Sequence, residues 1–151
     1  MLCQQVLAQP LVTRNNHSGN WEDPGSWEPV WDVPNDTISG TDTYINGFIT
    51  DGSSLCMKGA ACDLVINDTL VINGDLSLGN LNTLYINSNA ILIVKGNLTI
   101  INNTILITGG YLVVTGDFAN TSATWGGEFI SNSNPSKVFI AGTAPDINSI
   151  S

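Results

Sequence analysis

Short apolar triplets recur along the chain in a fixed order. One set reads Leu64-Val65-Ile66, Leu84-Tyr85-Ile86 and Ile105-Leu106-Ile107. A second reads Leu70-Val71-Ile72, Leu92-Ile93-Val94 and Leu112-Val113-Val114. A third reads Leu76-Ser77-Leu78, Leu98-Thr99-Ile100 and Phe118-Ala119-Asn120. Within each set, successive members lie 20 to 22 residues apart. Between the second and third sets the same turn appears three times, as Asn73-Gly74-Asp75, Lys95-Gly96-Asn97 and Thr115-Gly116-Asp117. A period of about twenty residues signals a solenoid.

Each triplet is too short to hold itself as a strand. Stacked on its equivalents above and below, it buries a continuous apolar column. Side chains alternate along a strand, so the flanking residues face inward and the middle ones outward. Successive turns run in the same direction, which makes the sheets parallel, and parallel crossovers are strongly right-handed. The pattern predicts an all-β chain, a right-handed parallel β-helix (β-solenoid) with three faces. Gly74, Gly96 and Gly116 are expected at positive φ, where glycine carries no Cβ penalty. Asp75, Asn97 and Asp117 should stack up the same corner. Turn chemistry explains that column better than calcium does, because the two aspartates lie two turns apart, roughly 10 Å at ordinary strand spacing.

The pattern loosens at both ends. Glu128-Phe129-Ile130 and Val138-Phe139-Ile140 read as a further turn, with Ala141-Gly142-Thr143 repeating the glycine corner. Upstream, Asp42-Thr43-Tyr44-Ile45-Asn46 and Phe48-Ile49-Thr50 read as a first, irregular turn. Residues 1–8 resemble the tail of a signal peptide, with Val6 and Ala8 in the small-residue cleavage pattern. Residues 9–50 form an N-terminal cap and first irregular turn, and 51–151 the regular β-helix. No stretch is long enough to span a membrane as a helix.

Composition narrows the function. The 151 residues carry a formal net charge of −9, with Lys and Arg together numbering four. These four are scattered, so no basic patch exists to neutralise phosphates, and nucleic-acid or anionic-lipid binding is disfavoured. Cys56 and Cys62 flank a small, glycine-containing segment and are expected to close a disulfide loop, with two buried free thiols as the alternative. His17 is the only histidine and lies in another segment, so zinc is not expected. No metal or cofactor motif is present. Trp21, Trp27 and Trp31 fall in a segment with Pro24, Pro29 and Pro34. They read as a cap over the open end of the first turn, or as an aromatic platform for sugar rings.

The run Asn20-Trp21-Glu22-Asp23-Pro24-Gly25-Ser26-Trp27, followed by Val33-Pro34-Asn35-Asp36-Thr37-Ile38, resembles the W-x-D-P-x-x-W…V-P-x-x-D-x-V opening of exported Bacteroidetes surface proteins. It is also similar to the start of G8-type domains. The resemblance covers roughly residues 19–145 and implies a β-solenoid, secretion by the type IX route and display at the cell surface. Those proteins often carry a cysteine loop before the first regular turn. Their O-glycosylation consensus, Asp-Ser/Thr-apolar, is matched at Thr37 and Thr69.

Three function classes compete. Polysaccharide lyases and hydrolases are often parallel β-helices, but catalysis needs clustered ionisable groups. The central outward positions, Val65, Tyr85, Leu106, Val71, Ile93, Val113, Ser77, Thr99 and Ala119, carry none. Ice binding would need a threonine array that the third face lacks. A non-enzymatic structural or adhesive surface module is the expectation, with self-association, or continuation into a longer solenoid, through the rows Val71, Ile93, Val113 and Val65, Tyr85, Leu106. A carbohydrate-binding surface module, or the N-terminal part of a polysaccharide-active enzyme, is the alternative.

Overall fold

A computed structural model describes residues 9–29, 33–59, 61–79, 82–101, 105–120, 128–131 and 137–144. The chain opens with β1 (Leu11–Thr13), β2 (Ser18–Asn20), a single 3-10 turn at Pro24–Ser26, β3 (Trp27–Glu28) and β4 (Thr37–Ile38). Three strands then repeat per turn: β5 (Thr43–Ile45), β6 (Phe48–Asp51) and β7 (Leu55–Met57); β8 (Asp63–Ile66), β9 (Thr69–Ile72) and β10 (Leu76–Gly79). The next two turns are β11 (Thr83–Ile86), β12 (Ile91–Val94) and β13 (Leu98–Ile101), then β14 (Ile105–Thr108), β15 (Tyr111–Val114) and β16 (Phe118–Asn120). A further turn begins with β17 (Glu128–Ser131) and β18 (Lys137–Ile140).

Three sheets result, one per face. The first is ordered β17-β14-β11-β8-β5-β1-β3, the second β18-β15-β12-β9-β6-β2 and the third β16-β13-β10-β7-β4. Among the described strands every pairing is parallel except β1 with β3, where the chain folds back antiparallel at the N-terminal edge. The architecture is therefore the three-faced parallel β-solenoid that the triplets predict, with about four complete turns. The first of them begins at Thr43, inside the stretch expected to be irregular, and β6 runs across the expected boundary at residue 50.

Inward columns fill the interior. Ile49, Leu70, Leu92 and Leu112 stack on the second sheet, and Leu55, Leu76, Leu98 and Phe118 on the third, all buried. On the second and third sheets the register is the one the triplets give. On the first it differs by one residue at β14. Leu84 pairs with Leu106 and Tyr85 with Ile107. Leu106 thus pairs in register with Leu84 and, through it, Leu64, and not with Tyr85, with which the triplets aligned it. The corner explains the shift. Gly109-Gly110 has the two-residue length of Asn67-Asp68, which leaves Thr108 buried at the end of its strand, in the column of Ile66 and Ile86. A slip of one residue exchanges the faces of a whole strand.

The glycine corner also works differently from expectation. Among the described glycines, positive φ occurs at Gly40 and Gly59, both on the path from the third sheet to the first. Gly74, Gly96 and Gly116 have ordinary φ. What they require is close approach. A Cβ on Gly96 would lie 2.7 Å from the Gly74 carbonyl oxygen and collide with the Asp75 carboxylate. The Gly96 N–H donates to Gly74 O at 2.9 Å, and Gly116 repeats this onto Gly96. Beside the glycines runs a side-chain ladder. The backbone N–H of Asp75 donates to Ser54 Oγ, that of Asn97 to Asp75 Oδ1, that of Asp117 to Asn97 Oδ1, and that of Thr143 to Asp117 Oδ1, at 2.7 to 2.9 Å. The column is corner chemistry, with each side chain satisfying the turn above it. A second ladder, in which Asn87 Nδ2 donates to Asn67 Oδ1 and Asn67 Nδ2 to Asn46 Oδ1, ties the corner between the first and second sheets.

Candidate functional site

The outer face of the second sheet carries most of the exposed large apolar side chains among the described residues. Two outward rows stand side by side on it. One runs Phe48, Thr69, Ile91, Tyr111, Lys137, and the other Thr50, Val71, Ile93, Val113, Phe139. Phe48 and Phe139 are exposed, and Ile91, Ile93 and Val113 are half-buried against one another. Val71 is buried by its neighbours despite pointing outward. On the first sheet the outward row is Val12, Tyr44, Val65 and Tyr85. The third sheet presents Thr37, Cys56, Ser77, Thr99 and Ala119. Thr37 and Thr69, the expected modification sites, are half-buried and sit in strands.

Of Trp21, Trp27 and Trp31, the first two are core residues. Trp21 and Trp27 are each 0% exposed, and their rings meet edge to face at 4.9 Å between centroids. Their indole N–H groups are both satisfied, Trp27 Nε1 donating to Trp21 O at 2.7 Å and Trp21 Nε1 to Pro34 O at 3.1 Å. A sugar platform needs a free ring face, so these two do not form one. Trp31 lies outside the described residues.

Cys56 and Cys62 are free thiols, which corrects the expected bridge. Cys56 is the middle residue of β7 and points outward between Thr37 and Ser77, whereas Cys62 is buried. Cys62 Sγ lies 3.4 Å from Asn82 Oδ1, and the Cys62 N–H donates to the same oxygen at 3.2 Å. Buried Asn82 in turn donates to Gly79 O. Burial pushes the Cys62 thiol up from its ordinary value, so it stays protonated and able to donate.

One feature eludes any motif. Glu22, Asp36 and Asp51 each bring a carboxylate oxygen to within 4.8 Å of the others. Glu22 follows β2, Asp36 precedes β4 and Asp51 ends β6, so three separate segments converge at the N-terminal end of the corner between the second and third sheets. Asp51 occupies the inward column of Ile72, Val94 and Val114. It is 0% exposed. Its Oδ1 accepts from the Ser53 N–H at 3.0 Å and from Ser53 Oγ at 3.2 Å, while Oδ2 is buried without a hydrogen-bond partner. Burial pushes the Asp51 carboxyl up from its ordinary range. The Ser53 hydrogen bonds oppose the rise, and the negative Glu22 and Asp36 add to it. The triplet pattern ends β6 at Thr50. Extending its register by one residue would have placed a carboxylate in an aliphatic column, which is the one sequence signal for this site.

No protein-family model, curated protein or solved structure matches the chain. Among the described residues, no helix is long and apolar enough to cross a membrane.

Proposed function

We propose that this chain is a non-enzymatic module of the exported cell surface, structural or adhesive, that works by associating with further copies of itself. The observation that carries this reading is the outer face of the second sheet, where Phe48, Ile91, Tyr111, Ile93, Val113 and Phe139 stand in adjoining rows. Contiguous apolar surface of this kind marks an interface. Lys137, held 5.9 Å over the Tyr111 ring, is the single charged side chain in those rows, so the face has no charge pattern to select a charged partner. Export and surface display rest on the Trp-Pro opening motif and on the Val6-x-Ala8 pattern. In this reading the buried Trp21–Trp27 pair closes the N-terminal end.

Light scattering across a concentration series tests the association. Wild-type protein is expected to associate. Ile93→Lys, which places a charge in the middle of the face, should raise the dissociation constant at least about tenfold, the equivalent of ~1.4 kcal/mol. Ser77→Lys on the polar third face serves as the charge control and should change little. A wild-type chain that remains monomeric at every concentration refutes the proposal, as does equal weakening by both lysines.

A further inference from the structure

The acidic convergence at the N-terminal corner is independent of how the outer faces are used. Three carboxylates this close repel one another at neutral pH. A buried carboxylate is stable only when paired or fully hydrogen-bonded, and Asp51 is neither, since one of its oxygens has no partner among the described residues. Among the described residues no cation pairs with these carboxylates. The one ion pair among the described residues joins Arg14 to Glu28, neither of which belongs to this cluster.

We propose that Glu22, Asp36 and Asp51 form a divalent-cation site, with Ca2+ as the matching ion. The donors are all hard carboxylate oxygens, which suit Ca2+ or Mg2+ and not a thiolate- or imidazole-seeking metal. Calcium binds oxygen at about 2.3–2.6 Å, so two donors on opposite sides of one ion stand roughly 5 Å apart. The observed spread, within 4.8 Å, lies inside that span. Calcium also tolerates irregular geometry, whereas Mg2+ demands a near-ideal octahedron and keeps several waters. Ser53 fixes the Asp51 carboxylate by holding Oδ1, which leaves Oδ2 for the ion. Glu22 Oε1 is steadied by a long contact from the Gly52 N–H at 3.4 Å. The bound ion would join the segment after β2, the segment before β4 and the end of β6. It would fasten the tryptophan-containing start of the chain to the first complete turn.

The test uses the full chain, first freed of metal with chelator. Thermal unfolding is followed with chelator, with CaCl2 and with MgCl2 at matched ionic strength. Terbium, excited through tryptophan, reports direct occupancy, since Trp21 adjoins Glu22. The expected results are a melting point raised by several degrees in CaCl2, a smaller rise in MgCl2, and terbium emission displaced by Ca2+. Glu22→Gln and Asp36→Asn change exposed side chains and should leave the fold intact while weakening Ca2+ at least tenfold each. Asp51→Asn should abolish the Ca2+ response and raise the melting point in chelator, because the neutral amide keeps an acceptor for Ser53 and removes the buried charge. Identical wild-type melts in CaCl2 and chelator, without terbium emission, would overturn the proposal. So would a Ca2+ response that survives unchanged in Glu22→Gln and Asp36→Asn.

Discussion

Replacing Gly96 with alanine isolates what the glycine corner requires. The backbone angle there is one that alanine adopts freely, so the substitution meets no conformational barrier. In the unfolded chain alanine has less freedom to lose, which by itself would stabilise the protein by about 0.4–1 kcal/mol. Against this stands the added methyl. Its carbon would lie 2.7 Å from the Gly74 carbonyl oxygen and 2.8 Å from the Gly74 carbonyl carbon, both backbone atoms of the turn below. It would also displace the Asp75 carboxylate, which accepts the Asn97 N–H at 2.7 Å. Overpacking of this kind costs about 1–3 kcal/mol, and loss of the hydrogen bond about 1 more. The steric cost wins, for a net destabilisation of about 1–3 kcal/mol. In a chain of this length that lowers the melting point by roughly 2–12 °C. Gly79→Ala is the control, because its methyl would meet nothing closer than 3.7 Å. Exposed Lys95→Ala should stay within about 0.5 kcal/mol of wild type. Urea unfolding of the three variants decides the matter. A Gly96→Ala protein as stable as the Gly79→Ala protein would refute close stacking as the reason for the glycines.

Register, thiol state and the buried acid yield further expectations. Leu92→Ala should cost about 2–5 kcal/mol, as inward aliphatic truncations do, and Ile93→Ala clearly less; equal losses in urea melts would mean that the strand faces are misassigned. Intact mass after alkylation in denaturant should show three labels, on Cys3, Cys56 and Cys62, and alkylation of folded protein should reach half-buried Cys56 well before buried Cys62; protein that takes a single label until reduced would contradict the free thiols. The raised Asp51 value sets a sign for pH in the absence of divalent cations. The folded state then holds that proton more tightly than the unfolded state does. The stability contributed by this group is therefore fully present below the unfolded value of about 3.9 and is lost as pH rises through the higher folded value. Subtracting the melting profile of Asp51→Asn from that of wild type, in chelator, should reveal this fall, and a difference that grows more favourable to wild type with rising pH would rule it out.

Much of the solenoid is written in the chain because its forces are local and periodic. Apolar residues at the flanks of each triplet, polar corners and a spacing near twenty residues leave few ways to bury the aliphatic side chains other than stacking. The columns headed by Leu70 and Leu76 follow from the sequence alone, residue for residue. At β14 the same reasoning slips by one, since Ile105-Leu106-Ile107-Thr108 offers two apolar frames and only the lengths of the neighbouring corners choose between them. Glycine at the corner is legible, but its cause is not. A demand for positive φ and a demand for close stacking select the same residue, and only the distance between turns distinguishes them. Proximity in sequence also suggested a Cys56–Cys62 bridge, but Cys56 points outward from β7 of the third sheet while Cys62 lies buried just before β8 of the first. Glu22, Asp36 and Asp51 show the reverse. Scattered along the chain, they carry no motif, and they meet because the fold returns each segment to the same corner. Sequence thus determines the repeat, through local burial and alternation, while three-dimensional stacking decides which distant side chains come within reach of one another.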